Sequence, residues 1–263
     1  MARIHPSAIV HPQARLSDNV SIGAFSVIGS DVSIGAGTEV GTHVVIEGLT
    51  TIGRDNRFAP FCSIGGPPQD KKYAGEPTRL EIGDRNVVRE YCTMNRGTTQ
   101  DSGVTRIGDD NWIMAYVHVA HDCIIGNQTI LANCAQLAGH VHIGDWVFLA
   151  GMTGVHQFVK VGAHAMTSAN TYLSQDLPPY VLGAGTPAQA SGINAEGLKR
   201  RGFSGAAIAA IRQAYKTLYR AKLSLEDAKK EIAHAAAAAD PDIQPHLNAL
   251  TAFLASVTRG IVR

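Results

Sequence analysis

A repeat of six residues runs through the first two thirds of this 263-residue chain. Its first series of aliphatic and aromatic residues is Ile4, Val10, Leu16, Ile22, Ile28, Ile34, Val40, Ile46, Ile52, Phe58 and Ile64. An amphipathic helix repeats every 3.6 residues and an alternating strand every 2, so a period of six fits neither. It is typical of a short strand followed by a tight turn, with each apolar residue pointing into a narrow core.

Three such hexads would close one triangular coil. Residues about 18 apart would then stack about 4.8 Å from one another, which is the spacing of hydrogen-bonded strands. The pattern resumes at Ile82, Val88 and Met94, and a shifted series runs from Ile107 to Val161. The sequence therefore predicts a parallel β-solenoid, in which we expect glycine to ease the turns.

Two segments interrupt the repeat. Residues 65–79 contain three prolines and several charges, and residues 96–106 are polar, so both are expected to leave the coil as external loops. From about Ala195 the pattern becomes helical, with Ser204 and Ser224 as expected N-caps. We predict an all-β solenoid over residues 1–190 and an α-helical domain over residues 191–263 that covers the open end of the last coil.

Composition excludes several classes of function. The formal net charge of +1 gives no overall attraction to nucleic acid or to an anionic membrane. No segment has the roughly 18 uninterrupted apolar residues of a membrane span, and the start, "MARIHPSAIV", lacks the apolar region of a secretory signal. The four cysteines have no C-x-x-C spacing and are expected to be small buried side chains. We therefore expect a protein of the reducing cytoplasm.

The run "VHVAHDCIIG" at 117–126 places two histidines and an aspartate among aliphatic residues. His121 takes the third position of its hexad, at a turn, where its side chain should face outward. Eighteen residues further lies Gly139, and the residue 18 after Asp122 is His140. The coil would therefore stack an imidazole, a carboxylate that orients it, and a backbone N–H that no side chain obstructs. Such a set suits proton abstraction and oxyanion stabilisation, as acyl transfer requires.

The same histidines could instead hold a catalytic zinc ion, because three imidazoles suffice for one. Solenoid carbonic anhydrases bind zinc between subunits in this way. Against a metal, His118 and His121 lie only three residues apart on an irregular coil, and Asp122 and His140 offer a partner within the chain. We expect neither a metal nor a cofactor.

The hexads resemble those of the hexapeptide-repeat acyltransferases, whose coil is a left-handed parallel β-helix and an exception to the right-handed crossover rule. Six segments between residues 69 and 204 narrow the resemblance to the UDP-N-acetylglucosamine O-acyltransferases: "QDKKYAGEPTRLEIGDRN", "HVAHDCIIGN", "LAGHV", "GMTGVHQF", "QDLPPYV" and "NAEGLKRRGFS". The related N-acyltransferases carry a uridine-binding domain before their hexads, whereas this chain opens directly with hexads.

The resemblance implies the first step of lipid A, and hence lipopolysaccharide, biosynthesis. An (R)-3-hydroxyacyl group would pass from acyl carrier protein to the glucosamine 3-hydroxyl of UDP-N-acetylglucosamine. His121 would be the general base, Asp122 would hold its ring, and the N–H of Gly139 would stabilise the oxyanion without a covalent intermediate. Relatives are homotrimers with active sites between subunits.

The resemblance also assigns binding residues. Sugar and acyl contacts are expected from Asp70, Lys72, His118, His140 and Gln157, and a contact to the donor arm from His156. Uracil and phosphate contacts are expected from Asn194, Glu196, Arg200 and Arg201. Arginine suits a diphosphate because its planar guanidinium donates two hydrogen bonds at once.

Acyl length and carrier docking complete the implied assignments. The length gauge would lie at Met166 and Ala169, where alanine leaves the groove open for a long chain. Pro187 stands where some relatives have histidine. Arg212, Lys216 and Arg220, at helical spacing, could meet the acidic carrier protein.

Two rival functions remain. A solenoid O-acetyltransferase would use acetyl-CoA, and a structural solenoid would have no catalysis, which would make the histidine cluster accidental. A structural solenoid should also have regular surface ladders rather than a charged loop beside one clustered corner.

Overall fold

Each hexad forms a strand of two to four residues, and successive strands turn onto different faces of a triangular prism in the computed structural model, which describes all 263 residues. The faces are three sheets, A, B and C. Sheet A contains β1 (Arg3–Ile4), β4 (Ser21–Ile22), β7 (Glu39–Val40), β10 (Arg57–Phe58), β13 (Val87–Val88), β16 (Trp112–Ile113), β19 (Ile130–Leu131), β22 (Phe148–Leu149), β25 (Met166–Thr167), β27 (Val181–Ala184) and β28 (Gln189–Ile193).

Sheet B contains β2 (Ile9–Val10), β5 (Val27–Ile28), β8 (Val45–Ile46), β11 (Ser63–Gly66), β14 (Thr93–Asn95), β17 (His118–Val119), β20 (Gln136–Leu137), β23 (Gly154–Val155) and β26 (Tyr172–Leu173). Sheet C contains β3 (Arg15–Leu16), β6 (Val32–Ile34), β9 (Leu49–Ile52), β12 (Arg79–Ile82), β15 (Val104–Ile107), β18 (Ile124–Ile125), β21 (His142–Ile143) and β24 (Lys160–Val161). All strand pairs are parallel except β27 with β28.

The predicted stacking register is confirmed. Arg3 pairs with Ser21, and Ile124 pairs with His142, in each case 18 residues along the chain. Where an external loop intervenes the separation grows, so that Arg57 pairs with Val87. The inward aliphatic residues form one core cluster of 40 buried residues along the prism. Burying so much apolar surface in one column supplies the main driving force for the coil.

Glycine has a different role from the expected one. The left-handed turn conformation is adopted mostly by larger residues, such as Phe25 with φ of 60° and His43 with φ of 57°. Where a glycine follows an inward apolar residue of the repeat, it lies at a point where neighbouring coils approach closely. A Cβ on Gly35 would lie 2.8 Å from the backbone nitrogen of Arg54. The coil spacing, rather than the turn, excludes side chains there.

Both predicted loops leave the prism, but they are shorter than expected. They span residues 67–78 and 96–103, because the flanking residues of each segment still pair within β11, β12 and β15. We call them the first and the second loop. Arg96 joins them, since its guanidinium donates to the carbonyl of Gly65 and, at 3.1 Å, to the hydroxyl of Tyr73.

The last coil is followed by the hairpin of β27 and β28 and then by four helices: α1 (Ala195–Arg200), α2 (Gly205–Tyr219), α3 (Leu225–Ala237) and α4 (Gln244–Ala255). The predicted caps are confirmed, because Ser204 accepts from Ala207 N and Ser224 accepts from Asp227 N, both at 3.1 Å. The hydroxyl of Tyr215 donates to the carbonyl of Ala190, which fastens α2 to the hairpin. Twelve buried residues form the core of this region.

All four cysteines are free thiols, and Cys62, Cys92 and Cys123 are buried while Cys134 is partly exposed. None of the four helices combines the length and the apolar character that crossing a bilayer requires.

Candidate active site

The predicted histidines meet at one corner of the prism, between sheets B and C, which we call the histidine corner. Asp122, His140 and Phe158 occupy the same turn position on three successive coils and share the left-handed conformation, with φ of 58°, 63° and 66°. This unusual backbone conformation orients each turn in the same way. The residues just before them, His121, Gly139 and Gln157, therefore form a second column beside the first, as the sequence predicts.

His121 and Asp122 form a hydrogen-bonded pair. The Nδ1–H of His121 donates to the Asp122 carboxylate at 2.9 Å, and the aspartate side chain is fully buried while 14% of the histidine side chain is exposed. Thr98 of the second loop donates to the same carboxylate through its backbone N–H at 2.9 Å and its hydroxyl at 2.7 Å. Burial alone would raise the pKa of Asp122, but the hydrogen bonds from His121 and Thr98 outweigh it and lower that pKa. The carboxylate therefore stays ionised and holds the imidazole with Nε2 free to accept a proton.

Gly139 lies directly beneath the His121 ring. A Cβ at this position would lie 2.7 Å from Nε2 of His121, so only glycine fits without displacing the imidazole. Gly139 is buried, and its N–H donates to no acceptor in the protein. The backbone N–H is also unpaired at the equivalent turn positions Asn133, Gly151 and Gln157, so the turn itself leaves this donor free. A proton acceptor and an unused hydrogen-bond donor thus lie side by side.

A groove of about 410 Å³ runs along sheet B from this corner. It is lined by His118, His156 and Gln157, by the outward-facing Gln136, Gly154 and Tyr172, and by Ala138; Leu137 and Val155 also border it, although their side chains are buried in the core. The His118 ring is hydrogen-bonded to the Thr93 hydroxyl at 2.7 Å. Burial, and then the charge of nearby His121, lower the pKa of His118, which favours the neutral ring.

The first loop covers the other side of the corner. A cavity of about 810 Å³ brings Asp70 and Lys72 together with His121, His140 and Gln157, whereas His118 lines the groove instead. Its lining also includes Gln69, Lys71, Gln100, Asp101 and Phe158. Sequence reasoning missed Thr98, Gln100 and Asp101, because the second loop has no repeat that would give its residues a place in the coil. Phe158 could have been found, since it lies 18 residues after His140.

His140 differs in one respect from the sequence-based expectation. Its Nδ1 lies 3.9 Å from the Asp122 carboxylate but only 2.8 Å from that of Asp101 in the second loop. The ring stacks on Phe158, with 4.4 Å between centroids, and meets the His121 ring edge-on at 5.1 Å. Asp101 is therefore the partner of His140, and Asp122 is left to His121.

The expected nucleotide residues lie at another corner, between sheets C and A, which we call the tryptophan corner. Asn194 is buried there and caps α1, accepting from Gly197 N at 3.1 Å. The guanidinium of Arg201 lies 5.1 Å from the ring centroid of Trp146, in cation–π geometry. Glu196 and Arg200 are exposed. One chain therefore does not bring this group beside His121.

The remaining predicted residues are also separated from the groove. Met166 lies on β25 in sheet A, and Ala169 lies exposed in the following turn. Pro187 is exposed near the hairpin turn. Arg212, Lys216 and Arg220 are exposed on or just after α2.

The tryptophan corner contains a half-buried imidazole that makes stability depend on pH. His164 stacks between Trp146 and Tyr180, and burial, followed by the charges of Arg201 and His246, lowers its pKa to about 4. Below pH 6.5 the unfolded chain would bind a proton that the folded chain does not, so stability falls as the pH drops from about 6.5 to about 4. The H164F variant keeps an aromatic ring but has no group that titrates here. Between pH 6.5 and pH 4 we expect its free energy of unfolding to fall by about 2 kcal/mol less than that of the wild type, after allowance for partial exposure. Urea unfolding of both proteins at several pH values measures this difference. If their free energies of unfolding changed with pH in parallel, the prediction would be wrong.

The histidine corner also has ligand atoms suited to a metal. Those of His121, Asp122 and His140 lie within 4.8 Å of one another. However, the Asp122 carboxylate already accepts from both His121 and Thr98, so a metal would have to displace these donors. The arrangement is better matched to proton transfer than to zinc binding.

Comparison with known proteins agrees with the architecture of both parts of the chain. The family profile described as bacterial transferase hexapeptide, six repeats, matches residues 13–48 and 105–139. The profile of UDP-N-acetylglucosamine O-acyltransferase, domain 2, matches residues 176–262.

Relatives match over the full length. An acyl-[acyl-carrier-protein]–UDP-N-acetylglucosamine O-acyltransferase of Herminiimonas arsenicoxydans is 58% identical over 263 residues, which is 100% of both chains. The structure of LpxA from Acinetobacter baumannii superimposes with a TM-score of 0.95 at 43% identity and covers 99% of each chain. The UDP-N-acetylglucosamine acyltransferase of Francisella novicida gives the same TM-score at 40% identity, covering 99% of this chain and 94% of that one.

These similarities span the length of the chain, including the solenoid, both external loops and the helical end. They confirm the predicted left-handed parallel β-helix with C-terminal helices. The chain belongs to the UDP-N-acetylglucosamine O-acyltransferase family.

Proposed function

We propose that this protein transfers an (R)-3-hydroxyacyl group from acyl carrier protein to the glucosamine 3-hydroxyl of UDP-N-acetylglucosamine, the first step of lipid A synthesis. One observation carries the proposal: an imidazole held by a buried carboxylate lies directly over a buried N–H that has no acceptor. Acyl transfer needs a base for the attacking hydroxyl and a donor for the oxyanion. The full-length relatives are named acyl-[acyl-carrier-protein]–UDP-N-acetylglucosamine O-acyltransferases, which agrees with the donor, the acceptor and the O-acyl transfer proposed here.

The geometry supports a direct mechanism. Nε2 of His121 removes the proton of the sugar 3-hydroxyl as its oxygen attacks the thioester carbonyl. The N–H of Gly139 donates to the oxyanion that forms, while Asp122 keeps Nδ1 protonated and stabilises the imidazolium. Collapse of the intermediate breaks the C–S bond, and the departing thiolate takes the proton from His121. Because both substrates are held together, no acyl-enzyme is required.

We propose further that the first loop and the groove divide the substrates between them. Asp70, Lys72, His140 and Gln157 line the cavity over His121 and suit a polar sugar. The small and aromatic residues Ala138, Gly154 and Tyr172 that line the groove suit an acyl chain, with His118 and His156 beside them. Asn194, Glu196, Arg200 and Arg201 would then receive the nucleotide.

We propose that the protein is a homotrimer in which the histidine corner of one chain and the expected nucleotide-binding residues of another form one site. The nucleotide residues lie at the tryptophan corner and the base lies at the histidine corner, so one chain offers them on different edges of the prism. Packing prisms side by side would bring the histidine corner of one protomer near the helical end of the next. The exposed turn at Ala169 would then reach a neighbour's groove, as a length gauge requires.

The A169M variant should shorten the preferred acyl chain. The longer side chain would fill space that alanine leaves open, and each methylene excluded from an apolar site costs about 0.8 kcal/mol. We expect a shift of about two to four carbons, measured by assaying 3-hydroxyacyl carrier proteins of increasing length. An unchanged length preference would place the gauge elsewhere.

The function itself is tested by supplying UDP-N-acetylglucosamine with either a 3-hydroxyacyl carrier protein or acetyl-CoA. Mass spectrometry of the products should identify the 3-O-(3-hydroxyacyl) sugar nucleotide with the carrier protein as donor. Acetylated product alone would favour the acetyltransferase. Activity that requires stoichiometric zinc would favour a metal mechanism instead.

A further inference from the structure

The second loop contacts the site through three side chains. Arg96 fixes the first loop, Thr98 donates to Asp122, and Asp101 bonds to His140. The first contact holds the first loop in place and the second orients Asp122, and the proposed function already uses both of these elements. The contact of Asp101 has no role in the mechanism described so far, although this residue lines the cavity above His121.

The pair of Asp101 and His140 is specific. Its two atoms lie 2.8 Å apart, the His140 side chain is 11% exposed, and Asp101 forms no ion pair with a lysine or an arginine. The Asp101 carboxylate points at the imidazole, although 45% of its side chain remains exposed.

The bond determines which nitrogen of His140 carries a proton. An ionised carboxylate only accepts hydrogen bonds, so Nδ1 must be the donor. In the neutral ring Nε2 is then an acceptor. Stacking on Phe158 at 4.4 Å fixes the plane of the ring, so the direction of this acceptor is fixed as well.

The bond to Asp101 also gives His140 an acceptor other than Asp122, which is the partner of His121. Nδ1 of His140 lies 3.9 Å from the Asp122 oxygen that accepts from His121. Without Asp101, the nearest carboxylate for His140 would be that of Asp122. Two imidazoles would then compete for one acceptor.

We propose that Asp101 is a positioning residue for the acceptor sugar: it holds His140 with Nδ1 protonated, so that Nε2 accepts a hydrogen bond from a hydroxyl or amide N–H of the sugar. The proposal rests on the proposed function, since it requires a polar acceptor in the cavity of Asp70, Lys72 and His121. It assigns the second loop a part in substrate recognition.

Steady-state kinetics of D101A and D101N test it, with UDP-N-acetylglucosamine varied at saturating acyl carrier protein. We expect D101A to raise the KM for the sugar nucleotide about 10-fold with kcat within about 3-fold, because the lost bond would leave the His140 ring less well oriented toward the sugar while His121 and Gly139 stay in place. D101N should recover most of the loss, because its amide oxygen still accepts from Nδ1–H. S102A, at the next position of the same loop, is the matched control and should match the wild type.

A double-mutant cycle then separates positioning through His140 from other effects. In an H140Q background, assayed with enough enzyme to detect slow turnover, adding D101A should have no further effect. The same fold-loss in both backgrounds, or wild-type kinetics in D101A, would overturn the proposal. A wild-type enzyme that transfers no hydroxyacyl group would refute the proposed function, which is a distinguishable result.

Discussion

Replacing His121 by alanine should reduce kcat about 100-fold or more while the protein stays folded. The variant loses the group that removes the hydroxyl proton, and a general base typically contributes 10² to 10⁴ in rate. The side chain lies at a turn and is not part of the apolar core, so the coil should persist. Hydroxyacyl transfer from the carrier protein, followed by mass spectrometry or a labelled sugar nucleotide, measures the loss.

His43 provides the matched control. It is also a histidine in a turn of the coil, stacked between Phe25 and Phe61 at the corner between sheets A and B. H43A should retain nearly full activity, because no residue of the proposed site lies next to it. If H121A kept activity within a few-fold of the wild type, another group would have to be the base.

The G139A variant should lose a comparable amount of activity by a different route. The backbone conformation at Gly139 lies outside the left-handed region, so alanine is compatible with the chain itself. Its methyl group would, however, contact Cε1 of His121 and lie 2.7 Å from Nε2. The imidazole must move by about 1 Å, and a displacement of that size can cost about 100-fold. We expect this loss in kcat with little change in melting temperature.

Gly151 is the corresponding control for this substitution. It lies at the equivalent turn position of the corner between sheets A and B, and a Cβ there would meet only the carbonyl oxygen of Asn133, at 3.5 Å. G151A should therefore be tolerated in both stability and turnover. Full activity in G139A would mean that the His121 ring is not held over this N–H during the reaction.

The stacking of His121 over Gly139 was predictable because it depends on the coil register. Eighteen residues separate His121 from Gly139, and the buried aliphatic residues impose that spacing on every chain segment between them. The helix caps at Ser204 and Ser224 were predictable for a similar reason, since local hydrogen bonding decides them.

The contacts of the second loop were not predictable. Thr98 and Asp101 belong to a segment without a repeat, and their partners lie 24 and 39 residues away in the chain. Only the folded path of the loop brings them to Asp122 and His140. The role of the repeat glycines was also misjudged, because the closeness of adjacent coils is a property of three-dimensional packing rather than of the turn sequence.

The position of the residues expected to bind the nucleotide was also not predictable. Helical spacing and capping place Asn194 and Arg201 on or beside α1, but the corner of the prism that α1 covers depends on the hairpin of β27 and β28. The sequence gives no register for this antiparallel hairpin, because the six-residue period ends before it. The separation of the two corners therefore emerged only from the folded chain.

A crystal structure of the protein with the 3-O-(3-hydroxyacyl) product bound is the most direct measurement. The account predicts that the ester carbonyl oxygen lies about 3 Å from the nitrogen of Gly139, and that the sugar 3-oxygen lies within hydrogen-bond reach of Nε2 of His121. An ester bound at a different corner, or a carbonyl oxygen directed away from Gly139, would contradict the account.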